Sequence, residues 1–189
     1  MIRSVCVFAS SSTKLEQPYY DSAGALGRGI AERGWTLVFG AGTEGLMGAL
    51  ARGAAERGGV ITGVIPDLMN VPGVVYEACT ELIATRTMRE RKAIMEQRSD
   101  AFLALPGGFG TLEEVLEIIT LRQLGYHHKP IALINTRGFY DPLEEQFERI
   151  AVQRFAERES LKVYGVVDTP EAALDYIEKA GPVGFVKTF

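Results

Sequence analysis

Three glycines in four positions, Gly107, Gly108 and Gly110, follow a short apolar run and precede Thr111 and Glu114. Backbone N–H groups in so glycine-rich a turn can form an anion nest, and Thr111 can add a hydroxyl and open a helix. A carboxylate one turn further on would then face whatever the anion tethers. The spacing also has a structural reading, because Thr111-x-x-Glu114 spells a capping box in which Glu114 bonds the Thr111 backbone. Upstream, Met88-Arg89-Glu90-Arg91-Lys92 is more than a charged run. Positions 88, 91, 92 and 95 form one helical stripe, with Met88 and Met95 apolar, so Arg91 and Lys92 share the face that should turn inward. Cations held there need an acid or a bound anion.

Two other loops carry candidate groups. Gly40-Ala41-Gly42-Thr43-Glu44-Gly45 has the G-x-G-x-x-G spacing between a strand and a helix, where a backbone can approach a phosphate. Tight turns that need positive φ give the same pattern. Ser10-Ser11-Ser12-Thr13-Lys14 puts hydroxyls and an ammonium after the first apolar run. His127 and His128 have no acidic or cysteine partner at ligand spacing, so they read as structural, and no metal or other cofactor is expected.

The elements that must position these groups follow from periodicity. Short apolar runs at Arg3–Ala9, Thr36–Phe39, Val60–Ile65, Ala101–Leu105, Ile131–Ile134 and Val163–Val167 predict strands covered on both faces. Amphipathic stretches predict helices over Tyr19–Arg33, Leu46–Arg57, Met88–Arg98, Leu112–Leu124, Tyr140–Arg158 and Glu171–Lys179. Two of these end in Ala-Glu-Arg-Gly, at Gly34 and Gly58, where a left-handed glycine closes a helix. The alternation predicts a Rossmann-like, doubly wound parallel α/β sheet with helices on both faces. No linker divides the chain, so residues 1–189 form one domain, with 181–189 a tail of no readable role. In such sheets the ligand sits beyond the carboxyl ends of the strands, where all these loops lie.

Composition narrows the function classes. The 189 residues are 47% hydrophobic, enough for a sizeable core, and carry a net charge of −4. A general nucleic-acid binder would show a basic excess. No apolar run approaches the roughly 18 residues of a membrane span, and no signal-peptide layout opens the chain. Cys6 and Cys79 have no CxxC context and read as free thiols, which with the rest predicts a cytoplasmic protein with neither nucleic-acid nor membrane partners. The 21 glycines exceed the usual share, and they sit between apolar segments with no low-complexity period.

Together these loops resemble the LOG (Lonely Guy) family of cytokinin-activating phosphoribohydrolases, long labelled lysine decarboxylases. The PGGxGTxxE signature is complete from Pro106 to Glu114, and Met88 to Lys92 resembles the family's Met-His-x-Arg-Lys segment. Gly45-Leu46-Met47-Gly48 and Gln123-Leu124-Gly125-Tyr126-His127-His128-Lys129-Pro130 match as well. The sequence departs from the family at Arg89, where histidine is frequent, and at Ala41, which interrupts a triple glycine. The resemblance implies hydrolysis of the N-glycosidic bond of a nucleoside 5′-monophosphate, a cytokinin ribotide or AMP, to free base and ribose 5-phosphate. It implies Arg91 and Glu114 as the catalytic pair. It also implies that Met88, Lys92, Gly107, Gly108, Gly110, Thr111 and Thr120 line the nucleotide site with Asp67 near the ribose or base, and that the chain is a homodimer. Gly42, Gly45 and Ser10 are phosphate-loop candidates.

The chemistry suits these groups. Cleaving a C1′–N bond builds positive charge on the ribose, which a carboxylate beneath the ring would stabilise, or it would activate the attacking water. Arg91 would neutralise phosphate or orient Glu114. A non-enzymatic carrier or sensor of a phosphorylated ligand on the same scaffold is the alternative. A nicotinamide-dependent reductase is disfavoured, because the glycine motif follows the second strand and no Tyr-x-x-x-Lys occurs.

Overall fold

In the first apolar run Val5 and Val7 point to one side and Cys6 and Phe8 to the other, and all four are buried. A strand buried on both faces needs a layer of helices on each side. The structure, a computed structural model, describes residues 1–180; the 181–189 tail lies outside the described residues. The strands β1 (Ser4–Phe8), β2 (Thr36–Phe39), β3 (Ile61–Pro66), β4 (Glu81–Thr85), β5 (Ala101–Ala104), β6 (Ile131–Ile134) and β7 (Gly165–Val167) form one parallel sheet in the order β4-β3-β2-β1-β5-β6-β7. Helices α1 (Gln17–Glu32), α2 (Gly45–Glu56) and α6 (Pro170–Lys179) cover the Val5, Val7, Leu37 and Phe39 face. Helices α3 (Met88–Gln97), α4 (Phe109–Gln123) and α5 (Asp141–Val152) lie over Cys6, Phe8, Val38 and Phe102. Burial, with the Glu114 carboxylate adding to it, pushes the Cys6 thiol well up.

From β1 the chain winds outward through β2, β3 and β4, then returns to lay β5 against the other side of β1, with Phe8 opposite Ala104. That reversal opens a crevice at the carboxyl ends of β1 and β5. The Ser10–Lys14 and Pro106–Gly110 loops leave the sheet on its two sides.

The predicted architecture is present, with one strand more than predicted and several element bounds that differ. Strand β4 was not legible as an apolar run, since it is a mostly exposed edge that opens with Glu81, ion-paired to Arg98. Helix α5 stops at Val152 instead of Arg158, and Arg154 just beyond has a left-handed φ of 62°. Only Gly165–Val167 of the Val163–Val167 run is strand, because a 3-10 turn at Arg158–Lys162 delivers Val163 and Tyr164 to the core first. Helix α4 opens at Phe109 with Gly108 as its cap, so Thr111 does not open it and no Thr111–Glu114 capping box forms. Gly34 and Gly58 close α1 and α2 with φ of 68° and 66°. At the far end of α4, Arg122 is buried on the core-facing stripe. Its guanidinium nitrogens have no hydrogen-bond partner among the described residues, which costs stability. No helix among the described residues is long and apolar enough to cross a membrane.

Two glycines explain how tightly α1 and α2 cross. A Cβ on Gly27 would run into the Leu50 carbonyl and stand 2.8 Å from the Ala54 nitrogen, and one on Gly53 would run into the Gly24 carbonyl. Neither obstacle is a movable side chain. Alanine in a helix interior ordinarily gains about 1 kcal/mol over glycine. Here Gly27→Ala should reverse that sign and lower the unfolding free energy by about 1–3 kcal/mol, read from urea denaturation midpoints at unchanged slope.

Candidate active site

The position of Arg91 begins with the start of its helix. The Thr87 hydroxyl accepts from the Glu90 N–H at 3.1 Å, and the Glu90 carboxylate accepts from the Arg86 N–H at 2.8 Å. Together they fix the first turn of α3 beside the end of β3. One turn in, Arg91 is 9% exposed. Its Nε donates to the Val64 carbonyl of β3 at 3.0 Å and its Nη1 to Glu114 Oε1 at 2.8 Å. The guanidinium therefore orients Glu114 directly, one of the two tasks open to it from the sequence.

Glu114 comes from the other side of the crevice. The first bond of α4 is Leu112 N–H to the Gly108 carbonyl at 3.0 Å. The N–H groups of Phe109, Gly110 and Thr111 have no acceptor among the described residues. They form the positive end of a 15-residue helix, an arrangement that holds anions. A Cβ on Gly108 or Gly110 would meet nothing within 4 Å, and neither has a left-handed φ. Glycine there answers no internal need and leaves the backbone open to an approaching group. Gly107 differs, since a Cβ there would collide with the Thr111 side chain. Burial raises the Glu114 carboxyl above its ordinary pKa, against the pull of Arg91. Its Oε2 has no hydrogen-bond partner among the described residues.

These groups face a cleft of about 380 Å³, walled by Ser10–Ser12, Met47, Met69, Met88, Arg91 and the α4 entrance. A second cavity of about 310 Å³ borders Arg91 and shares the three methionines, with Ile65, Pro66 and Val74 beyond them. A third, of about 360 Å³, lies on the other side of Gly107 and Gly108 against Leu15, Tyr19 and Phe139.

Among the residues singled out from the sequence, Ser10, Met88, Arg91, Gly108, Gly110, Thr111 and Glu114 line the main cleft. Gly107 lines the third cavity and Gly42 the second. Met88 is half-exposed on the cleft wall, not turned inward with Met95. Asp67 is exposed at the 3-10 turn after β3, next to the cavity-lining Pro66. Lys92 turns away from the cleft and bonds Glu113 and Glu117, bracing α3 against α4. Thr120 is exposed, donates to the Leu116 carbonyl at 2.7 Å and lines an apolar groove between α4 and α5. Lys14 is exposed and outside the cleft lining.

The G-x-G-x-x-G loop is not laid out as a phosphate loop at its helix entrance. The N–H groups of Leu46 and Met47 are already taken by the Ser10 carbonyl, at 2.9 and 3.3 Å. Gly45 has φ of 60° and no room for a Cβ against the backbone of Ser10–Ser12. Ala41 takes φ of 59°, a conformation glycine adopts at less cost. The sequence reading missed the Val64 carbonyl, Met47 and Met69. A carbonyl has no side-chain signature, and an apolar methionine reads as core.

Residues 47–177 match a family described as "Possible lysine decarboxylase". The chain is 37% identical over 180 residues to the probable cytokinin riboside 5′-monophosphate phosphoribohydrolase LOGL3 of Oryza sativa subsp. japonica, covering 95% of this chain and 85% of that one. It is 39% identical over 170 residues to the cytokinin riboside 5′-monophosphate phosphoribohydrolase LOG2 of Arabidopsis thaliana, covering 90% and 79%. Among solved structures, the molybdenum cofactor carrier protein of Chlamydomonas reinhardtii superposes with a TM-score of 0.72 at 23% identity, covering 95% and 98%, a likeness of fold.

His127 and His128 do not belong to the cleft lining. His127 is buried, with Nε2 at 3.0 Å from the Ile118 carbonyl and Nδ1 accepting from the Lys129 N–H at 3.2 Å, which fixes a neutral ring. Burial pulls its pKa down to about 4. The unfolded chain takes up that proton first, near the ordinary value of about 6.5. Stability is thus present above about pH 6.5 and lost as pH falls toward 4, by an amount on the order of 3 kcal/mol. Urea unfolding of wild type and His127→Asn across that range should give a difference that closes as the pH drops.

Proposed function

Because this chain belongs to the LOG family of phosphoribohydrolases, we propose that it hydrolyses the N-glycosidic bond of nucleoside 5′-monophosphates, cytokinin ribotides and AMP among them, to free base and ribose 5-phosphate. The observation that carries this reading is the pairing of Arg91 with Glu114 beside the N–H groups that open α4 and have no acceptor among the described residues. The 5′-phosphate takes those N–H groups and the Thr111 hydroxyl. The ribose then lies over Glu114, and the base enters the methionine-walled cavity next to Arg91, where polarizable thioethers suit a purine face. As the C1′–N bond breaks, the Glu114 carboxylate stabilises the positive ribose or activates the water that attacks C1′. Arg91 keeps Glu114 aimed and ionised in a site whose burial favours the neutral acid. Phosphate anchoring supplies binding energy that positions the sugar.

The carrier reading needs only the anion site. A buried guanidinium–carboxylate pair aimed into the same cleft favours catalysis. Purified protein incubated with AMP or isopentenyladenosine monophosphate should release free base. Glu114→Gln should lower kcat by about 10³-fold with nucleotide binding retained, and Arg91→Ala should lower it by a comparable factor. The acid limb of the kcat profile should lie above the ordinary glutamate range, since the carboxylate form is the active one. Binding of nucleotide by wild type without release of base would establish the carrier instead.

The working unit in this proposal is a cytoplasmic homodimer without nucleic-acid or membrane partners. Helix α5 buries no residue fully, and its Phe147 and Ile150 line the groove that holds Leu116, Ile119 and Thr120 of α4. A second copy would cover that face and give Thr120 a partner. The two free cysteines fit the compartment, and the net charge of −4 fits the lack of a nucleic-acid partner. Light scattering should give twice the chain mass, and Ile119→Glu should give a folded monomer.

A further inference from the structure

The glycine-rich loop after β2 has a use that phosphate binding does not explain. A Cβ built on Gly40 would collide with Nη2 of Arg91 and stand 3.1 Å from its Cζ, with the Met47 sulfur next at 3.4 Å. Gly40 does not have a left-handed φ, so its backbone tolerates any L residue. The missing side chain therefore serves the guanidinium. Arg91 cannot give way without breaking a bond, because Nε is held by the Val64 carbonyl and Nη1 by Glu114.

We propose that Gly40 is a positioning residue: the space left by its absent side chain is the socket that seats the Arg91 guanidinium between β2 and β3 and so aims Glu114 into the cleft. The loop holds a cation of the protein itself, not the substrate's phosphate. Three constraints close on one planar group, from a carbonyl within β3, a void just past β2 and a carboxylate on α4. Its role in turnover rests on the hydrolase reading above, whereas the seating of Arg91 does not.

With alanine at position 40 the guanidinium must leave its seat and its bonds to Val64 and Glu114. Glu114 then faces Lys92 of α3, Glu113 of its own helix and the Cys6 thiol of β1 without its main counter-charge. Its carboxyl should titrate higher in Gly40→Ala than in wild type, read by carbon-13 NMR of the side-chain carboxyls. The acid limb of kcat should move the same way, with kcat down by about 10²-fold and KM changed far less.

A double-mutant cycle with Arg91→Lys separates this socket from a loop defect, because lysine has no Nη2 to collide. Gly40→Ala should cost little further activity, and shift the Glu114 titration little, in the Arg91→Lys background. Equal effects in both backgrounds would overturn the proposal, as would an unshifted Glu114 titration in Gly40→Ala. Should Gly40→Ala fail to fold by circular dichroism, folding of the double variant supports the socket, and failure of both variants refutes it. A shifted titration in a protein that releases no base would uphold the socket and remove the hydrolase reading.

Discussion

The near-buried ion pair between Arg91 and Glu114 is the constraint around which the rest is arranged. A guanidinium and a carboxylate withdrawn from water lose hydration that their attraction offsets only when geometry is tight and the remaining donors are satisfied. Here the two come from helices on one face of the sheet, at the carboxyl ends of the strands, where unpaired strand carbonyls are available. The Val64 carbonyl takes Nε, and the planar fork is thereby fixed in two directions. Lys92 adds a second tie between the same two helices through Glu113 and Glu117, so the spacing of α3 and α4 does not rest on Arg91 alone. The site also gains from the order of the strands. The reversal between β1 and β5 leaves a gap that no connection crosses, and the open end of α4 stands in it.

Much of this was legible because it depends on side-chain periodicity. Alternating apolar runs gave six of the strands, and the stripe of Arg91 with Met95 placed a cation on an inward face. Strand β4 escaped because one exposed edge strand with a leading glutamate has no apolar signature. Helix α5 was read too long because nothing in the side chain of Arg154 announces a left-handed backbone. The same limit applies at the site. A stripe tells inward from outward but not cleft from helix groove, so Lys92 was grouped with Arg91 although its amine braces two helices. Thr120 was placed in the cleft by resemblance alone, and it lies on the α4–α5 groove.

Glycine illustrates the point most clearly. The abundance of glycine was visible at once, but its purposes separate only in three dimensions. Gly34 and Gly58 terminate helices, Gly27 and Gly53 let two helix backbones touch, and Gly45 lets a turn pass beneath the Ser10–Ser12 backbone. The spacing that suggests a phosphate loop is satisfied by packing against the chain's own atoms.

Gly108 and Gly110 stand apart from all of these, since neither turn geometry nor packing asks for them. In a helix's first turn, a residue with a side chain at position 110 would if anything steady the fold, by up to about 1 kcal/mol on intrinsic propensity. Selection for stability alone would therefore erode this loop first, and would do so silently, leaving a sounder protein with its anion site blocked. Where these two glycines persist in a lineage, a ligand keeps them there, and they record use in a way that the core residues do not.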